Sequence, residues 1–179
     1  MIRYLFGITL LAASLVACAG DPPAVGSAAP GFNLQDQNGA WHKLEDYRGT
    51  WLAVYFYPKD DTPGCTTEAC NFRDNIYAFK AIGAEVVGIS VDDVDSHKEF
   101  AAKYKLPFTI LADDGGETAA TYGVLVDYMA MQVASRQSFL VNPEGIIVKH
   151  YDKVDPETHT AQVLADIQAH SAAKEPASG

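Results

Sequence analysis

The sequence predicts one α/β domain over residues 32–171, a central mixed sheet with helices packed against it. Two observations carry this prediction. From Phe32 to about His170 apolar stretches alternate with segments of helical period, the sequence form of a sheet with helices on it. The stretch WLAVYFYP, Trp51 to Pro58, is apolar and β-rich almost without a break, as a central strand buried on both faces requires. A chain of 179 residues, 48% hydrophobic and 20% charged, supplies one proper core and needs no second domain.

Each element follows in order. After the Trp51–Pro58 strand, Thr62 is a good N-cap residue, Pro63 suits the first helical position and Gly64 permits close backbone approach, so a helix begins at Pro63. EVVGISV, Glu85 to Val91, reads as a second buried strand, DSHKEFAAKYKL as a helix and FTILAD as a third strand. A short helix lies near GGETAATYGV. QSFLVNPEGIIVKHY reads as a hairpin turning at Asn142 to Gly145, and PETHTAQVLADIQAH as a closing helix with Val163, Leu164 and Ile167 at helical spacing. This order is thioredoxin-like, one α/β arrangement among those the pattern admits. Tyr55, Phe56 and Tyr57 read as core. Tyr128, Met129 and Met131, ahead of Arg136, fit either an apolar rim or packing, in a segment the pattern assigns to no element.

The N-terminus has a different character. MIRYLFGITLLAASLVAC carries Arg3, an apolar run from Leu5 to Leu11 and small residues before Cys18, which is signal-peptide architecture over residues 1–17. The run falls well short of the ~20 apolar residues of a membrane-spanning helix. Leu15-Val16-Ala17-Cys18 resembles the lipobox of bacterial lipoproteins, which implies a diacylated Cys18 as first residue of an exported, membrane-anchored chain facing the periplasm or cell exterior. Ordinary secretion with an incidental cysteine is the alternative. AGDPPAVGSAAP then reads as part of a flexible tether over residues 18–31, and residues 172–179 as a frayed tail.

That leaves Cys65 and Cys70 as a pair in an oxidising compartment. Cys65 sits in the first helical turn, where free backbone N–H groups and the positive end of the helix dipole stabilise a thiolate, the nucleophilic form of cysteine. Five helical residues separate the two Cα atoms by roughly 8.5 Å, beyond the ~7 Å a disulfide tolerates. A permanent bond conflicts with the helix. A switchable one requires its first turns to unwind.

Pro58-Lys59-Asp60-Asp61-Thr62-Pro63-Gly64-Cys65 matches the P-x-x-x-T-x-x-C active-site motif of peroxiredoxins, and TTEACNFRD resembles the peroxiredoxin Q, or bacterioferritin comigratory protein, branch. The resemblance extends over the folded part and implies a thioredoxin-like fold. It implies that Cys65 attacks a hydroperoxide and becomes a sulfenic acid, and that Cys70 resolves it as an intramolecular redox disulfide. Thr62 would hold the peroxide oxygen, Pro58 would shield the sulfur, and Arg136 in SRQSF would be the distant active-site arginine. That last match is looser, because Gln137 stands where members of the family commonly have Ser or Thr. Glu68 falls where a carboxylate orients the arginine. The resemblance further implies no metal or organic cofactor, a thioredoxin-like reductant and a monomer.

Competing functions fit less well. A thiol:disulfide oxidoreductase typically uses C-x-x-C, whereas four residues intervene here. A lipoprotein that only binds a partner leaves both cysteines and the Thr-Pro-Gly lead-in unexplained. The net charge of -10 and 13 scattered Lys and Arg argue against nucleic acid. The five His show no ligand spacing, and the acidic runs VDDVDSH and LADDGGE read as solvated loops rather than a metal site.

Overall fold

The computed structural model describes residues 20–174. In chain order its elements are β1 (Asn33–Asp36), β2 (Trp41–Lys43), a 3-10 turn (Leu44–Tyr47), β3 (Trp51–Phe56), α1 (Pro63–Ala81), β4 (Ala84–Ser90), α2 (Val94–Tyr104) and β5 (Thr109–Ala112). Then come α3 (Glu117–Thr121), β6 (Leu125–Tyr128), β7 (Met131–Ala134), β8 (Gln137–Val141), β9 (Ile147–Tyr151) and α4 (His159–Lys174). Seven strands form one mixed sheet in the order β2-β1-β5-β4-β3-β8-β9, and β6 pairs with β7 apart from it. The thioredoxin-like α/β prediction holds.

β3 is central and parallel to β4, with β8 antiparallel on its other side. Its alternation divides the core. Ala53, Tyr55 and Tyr57 join Phe72 and Phe79 of α1, Phe100 of α2 and Val163 and Ile167 of α4 on one face. Leu52, Val54 and Phe56 join Phe32, Leu111, Tyr122 and Phe139 on the other. Both faces of one strand are therefore dry, which is why its sequence lacks the polar alternation of a surface strand.

Some boundaries differ from the sequence reading. Within the segment read as a tether, residues 18–31, the described part from Gly20 onward is not free throughout. Gly26 N–H donates to the Ile147 carbonyl at 2.8 Å, Ile147 N–H to Ser27 at 2.9 Å and Ala29 N–H to Gly145 at 2.9 Å, so this stretch is stitched to the start of β9. Gly26, Ser27 and Ala29 offer backbone groups free to pair, and the β9 edge supplies partners. Cys18 lies outside the described residues. At the other end α4 begins at His159, not Pro156, and continues to Lys174, into the stretch read as tail. Asp155 explains the late start: its side chain accepts from Glu157 N–H at 2.9 Å, and its carbonyl from Thr158 and His159, forming a turn first.

The hairpins β1–β2 and β6–β7 have no counterpart in the sequence reading. β1 and β2 are four and three residues long and largely polar, held by pairing and by Gln37, whose side chain donates to Phe108 O at 2.9 Å and accepts from Ile110 N at 2.9 Å.

Candidate active site

Cys65 is the third residue of α1, just beyond the carboxyl end of β3, where open α/β sheets gather reactive groups. Thr62 has the extended backbone of an N-cap, but its hydroxyl donates to Lys59 O at 3.0 Å and does not cap the helix as the sequence predicts. The first-turn N–H groups therefore remain directed at whatever lies before them. Cys65 is a free thiol, 1% exposed, against the Tyr55–Phe72 side of the core.

Arg136 reaches the site from the link between β7 and β8. Its Nη2 donates to Cys65 Sγ at 3.1 Å, and its Nη1 donates to Glu68 Oε2 one turn further along α1. The loosest of the sequence matches is thus in direct contact with the sulfur. Gln137 bridges Ser135 Oγ and His150 Nε2, so the residue that departs from the family pattern braces the link carrying Arg136. Pro58 is half-buried beside the site, in the loop between β3 and α1.

Glu68 is fully buried, and its Oε1 has no partner among the described residues. Burial pushes its carboxyl up to about 7, with Arg136 pulling the other way. Nearby His159 is buried between Phe72 and Tyr151, with Nε2 2.9 Å from Ser138 Oγ, and burial pushes it down to about 4. The two act on stability with opposite sign. Between its ordinary 4.5 and about 7, folded Glu68 holds a proton that the unfolded chain has released, so stability falls as pH rises. Between about 4 and the ordinary 6.5, unfolded His159 takes a proton the folded chain refuses, so stability rises with pH. We expect denaturation midpoints across this window to rise more steeply with pH in Glu68→Gln than in the parent, and His159→Phe to tilt them downward. Equal slopes in all three would contradict this.

Gly64 is needed for space. A Cβ there would lie 3.1 Å from Arg136 Nη2 and 3.8 Å from Pro156 Cγ. Because the guanidinium is held between Cys65 and Glu68, it cannot retreat without loosening one of those bonds. Gly64→Ala is therefore expected to slow oxidation of Cys65 by about tenfold, the scale of one weakened charge-assisted hydrogen bond. An unchanged oxidation rate in stopped-flow fluorescence would show that Arg136 adapts freely.

The structure also reveals anchors that sequence reasoning missed. Asp60 is buried beneath the loop, its carboxylate accepting from Tyr57 OH at 2.7 Å and Ser96 Oγ at 2.8 Å and lying 2.7 Å from His97 Nδ1. Its N–H donates to Asp92 Oδ2 at 2.8 Å. Asp61, at φ 57°, accepts from Lys103 and Tyr104 of α2. The loop before Cys65 is thus pinned to α2 and the end of β4. The acidic runs have structural uses too: Asp92 joins this network, Asp93 caps α2, and Asp113 accepts from Thr118 and Ala119 N–H in α3. Among the described residues no three His, Cys, Asp or Glu are grouped to hold a metal ion.

Cys70, also a free thiol, lies on the same uninterrupted helix, half-buried and close to Arg73. Arg73 bonds to Asp74 and to the Tyr104 carbonyl, and Asn71 Nδ2 donates to Pro156 O at 2.9 Å. Beyond Cys70 the helix is therefore tied down on both sides, as the loop is before Thr62. Between these ties the first two turns carry both cysteines.

Residues 25–150 match the AhpC/TSA family. The chain belongs to this family. Within it, peroxiredoxin Q of rice (Oryza sativa subsp. japonica), a chloroplastic protein, is 46% identical over 145 residues, 80% of this chain and 66% of the rice protein. The poplar (Populus jackii) peroxiredoxin Q is 44% identical over 80% of this chain and 68% of its own length. The chain thus spans about two thirds of the length of these plant relatives. Among solved structures, a cysteine-to-serine variant of Xylella fastidiosa PrxQ superposes with a TM-score of 0.80 at 30% identity, covering 85% of this chain and 99% of that one. The Xanthomonas campestris bacterioferritin comigratory protein, described with its alkyl peroxide reduction activity, gives 0.74 at 35% identity over 78% and 92%. This member of the AhpC/TSA family stands in the peroxiredoxin Q branch on both counts. The Pro58 to Cys65 motif, Glu68 and Arg136 all fall inside the matched residues.

Proposed function

We propose that this chain is a thiol-dependent peroxidase that reduces hydrogen peroxide and alkyl hydroperoxides, with Cys65 as the attacking residue and Cys70 as the resolving one. The observation that carries the reading is the Arg136 guanidinium on Cys65 Sγ at the start of α1, backed by buried Glu68. Peroxide cleavage needs a sulfur nucleophile, donors for the charge developing on the leaving oxygen and exclusion of water. Arg136 and the first-turn N–H groups supply donors, the Thr62 hydroxyl oxygen, whose proton goes to Lys59 O, is left to accept from the peroxide O–H, and Pro58 shields the sulfur. The thiolate attacks one peroxide oxygen, the O–O bond breaks, and the departing oxygen leaves as water or an alcohol after taking a proton. Cys65 is then a sulfenic acid. Cys70 attacks its sulfur, water leaves, and a disulfide remains.

In a helix the two Cα atoms stand ~8.5 Å apart, so the second step requires the first turns of α1 to unwind. The ties at Asp60 and Asp61 on one side, and at Asn71 and Arg73 on the other, confine that unwinding to the turns between them. A thioredoxin-like thiol donor then restores both thiols. The chain works as a monomer. We further propose that it is an exported lipoprotein anchored through Cys18, on the strength of the Leu15-Val16-Ala17-Cys18 resemblance.

Peroxide consumption with a dithiol reductant tests the activity directly. Stoichiometric loss of hydrogen peroxide and cumene hydroperoxide is expected, and no loss of either would remove the peroxidase reading. The anchor is tested separately: Cys18→Ser should move the protein from the membrane to the soluble fraction of a bacterial host, and persistence in membranes would contradict acylation.

A further inference from the structure

Seven large apolar side chains are exposed among the described residues, and four of them, Val126, Tyr128, Met129 and Met131, belong to the ten-residue β6–β7 hairpin. Met129 at the tip is 90% exposed and has φ 56°, a backbone position where glycine is the usual residue. A methionine here is unfavourable locally and gains no burial within the chain. Any use of this side chain therefore lies outside the chain.

Where the N-terminus leaves the domain indicates what that use is. Gly20 to Pro22 lie against Gly123, at the root of the hairpin: a Cβ on Gly123 would come within 2.5 Å of the Gly20 carbonyl oxygen and the Pro22 nitrogen. Cys18 is two residues upstream, a reach of ~7 Å. The stretch from Gly123 to Met129 adds ~20 Å at most. An acyl chain on Cys18 would hold this hairpin next to the bilayer, whereas a freely flexible 18–31 segment would let the domain stand ~45 Å away.

The hairpin also leads to the reactive sulfur. β7 continues through Ser135 to Arg136, whose guanidinium touches Cys65, and Met131, Gln132 and Val133 share with Pro58, Lys59, Asp92 and Asp114 the lining of a cleft of about 360 Å³. We propose that β6–β7 is a membrane-contact element: Tyr128 and Met129, with Met131 beside them, enter the lipid interface, and β7, which runs on to Arg136, sets the Cys65 site next to hydroperoxides of membrane lipid acyl chains. The proposal rests on the peroxidase and anchor readings. Its balance is that of the parent reaction: lipid hydroperoxide plus the two thiols gives lipid alcohol, water and the disulfide. The chain's net charge of -10 and Asp127 in the hairpin make this an apolar contact with zwitterionic lipid rather than attraction to an anionic surface.

The test uses full-length acylated protein on phosphatidylcholine vesicles containing phosphatidylcholine hydroperoxide, with dithiothreitol as reductant and hydrogen peroxide as the second substrate. In Tyr128→Ser/Met129→Ser, which leaves Met131 and the cleft beside Pro58 intact, the lipid hydroperoxide rate should fall about tenfold, because contact scales with the apolar area buried in the interface, while the hydrogen peroxide rate stays at the parent value. Parallel loss of both rates would assign the hairpin to the fold, and an unchanged ratio would end the proposal. A dimer of the soluble Cys18→Ser parent that Tyr128→Ser/Met129→Ser dissociates would mean that the patch pairs two copies. A parent inactive on both peroxides fails the peroxidase reading itself, and an N-terminal mass without acyl chains fails the anchor. Either result removes the proposal, and each is recognisable on its own.

Discussion

Cys65→Ser is expected to reduce peroxide consumption to the rate of buffer plus reductant, a loss of at least about 10³-fold, because the nucleophile itself is gone. Cys70 cannot replace it. It lies away from Arg136, beside Arg73, on a helix that presents it in another direction. The substitution nearly preserves volume in a site 1% exposed, so the fold should survive and the denaturation midpoint should change little. Cys70→Ser gives the useful contrast. It should consume one equivalent of peroxide rapidly and then stall at sulfenic acid, open to further oxidation by excess peroxide. Full turnover in Cys65→Ser would move the chemistry to another residue.

Arg136→Ala should slow oxidation of Cys65 by about 10²–10³-fold, the usual cost of removing one donor from developing oxygen charge. It should also lower stability by about 3 kcal/mol, since buried Glu68 loses its guanidinium. These two losses are separable. Adding Glu68→Gln to Arg136→Ala removes the stranded carboxylate and should recover much of the stability, but none of the rate. Arg136→Lys keeps the charge without the fork that spans Sγ and Glu68, and should recover only part of the rate. Stopped-flow oxidation and urea unfolding on the same four proteins read both quantities. If the double variant regained the parent rate, Arg136 would serve only to neutralise Glu68.

What was legible in the sequence was what local chemistry determines. β3 was readable because burial on both faces writes an unbroken apolar run, and the start of α1 because Thr-Pro-Gly is helix-entry chemistry. Cys65 and Cys70 followed from their positions on that helix. Arg136 required the family resemblance, since nothing nearby in sequence says that it returns to Cys65, 71 residues earlier. The anchors were not readable for the same reason: Asp60 and His97 are 37 positions apart, and in sequence His97 ends an acidic run that resembles a solvated loop. Composition misled at residues 20–30, where a Pro- and Ala-rich stretch with no apolar pattern still pairs its backbone with Gly145 and Ile147. β6 and β7 were hidden because they pair with each other while most of their side chains stay exposed and only Val133 and Ala134 are buried, which leaves too short a burial pattern to read.

The central claim is that Cys65 is oxidised first and Cys70 closes the bond. Intact mass after brief treatment with one equivalent of hydrogen peroxide tests it most directly, on the reduced Cys18→Ser protein alone and with Cys65→Ser or Cys70→Ser added. The account predicts loss of two hydrogens without Cys65 or Cys70 substitution, gain of one oxygen with Cys70→Ser, and no change with Cys65→Ser. A protein that stays reduced, or one in which Cys65→Ser is oxidised as fast as the unsubstituted pair, would contradict it.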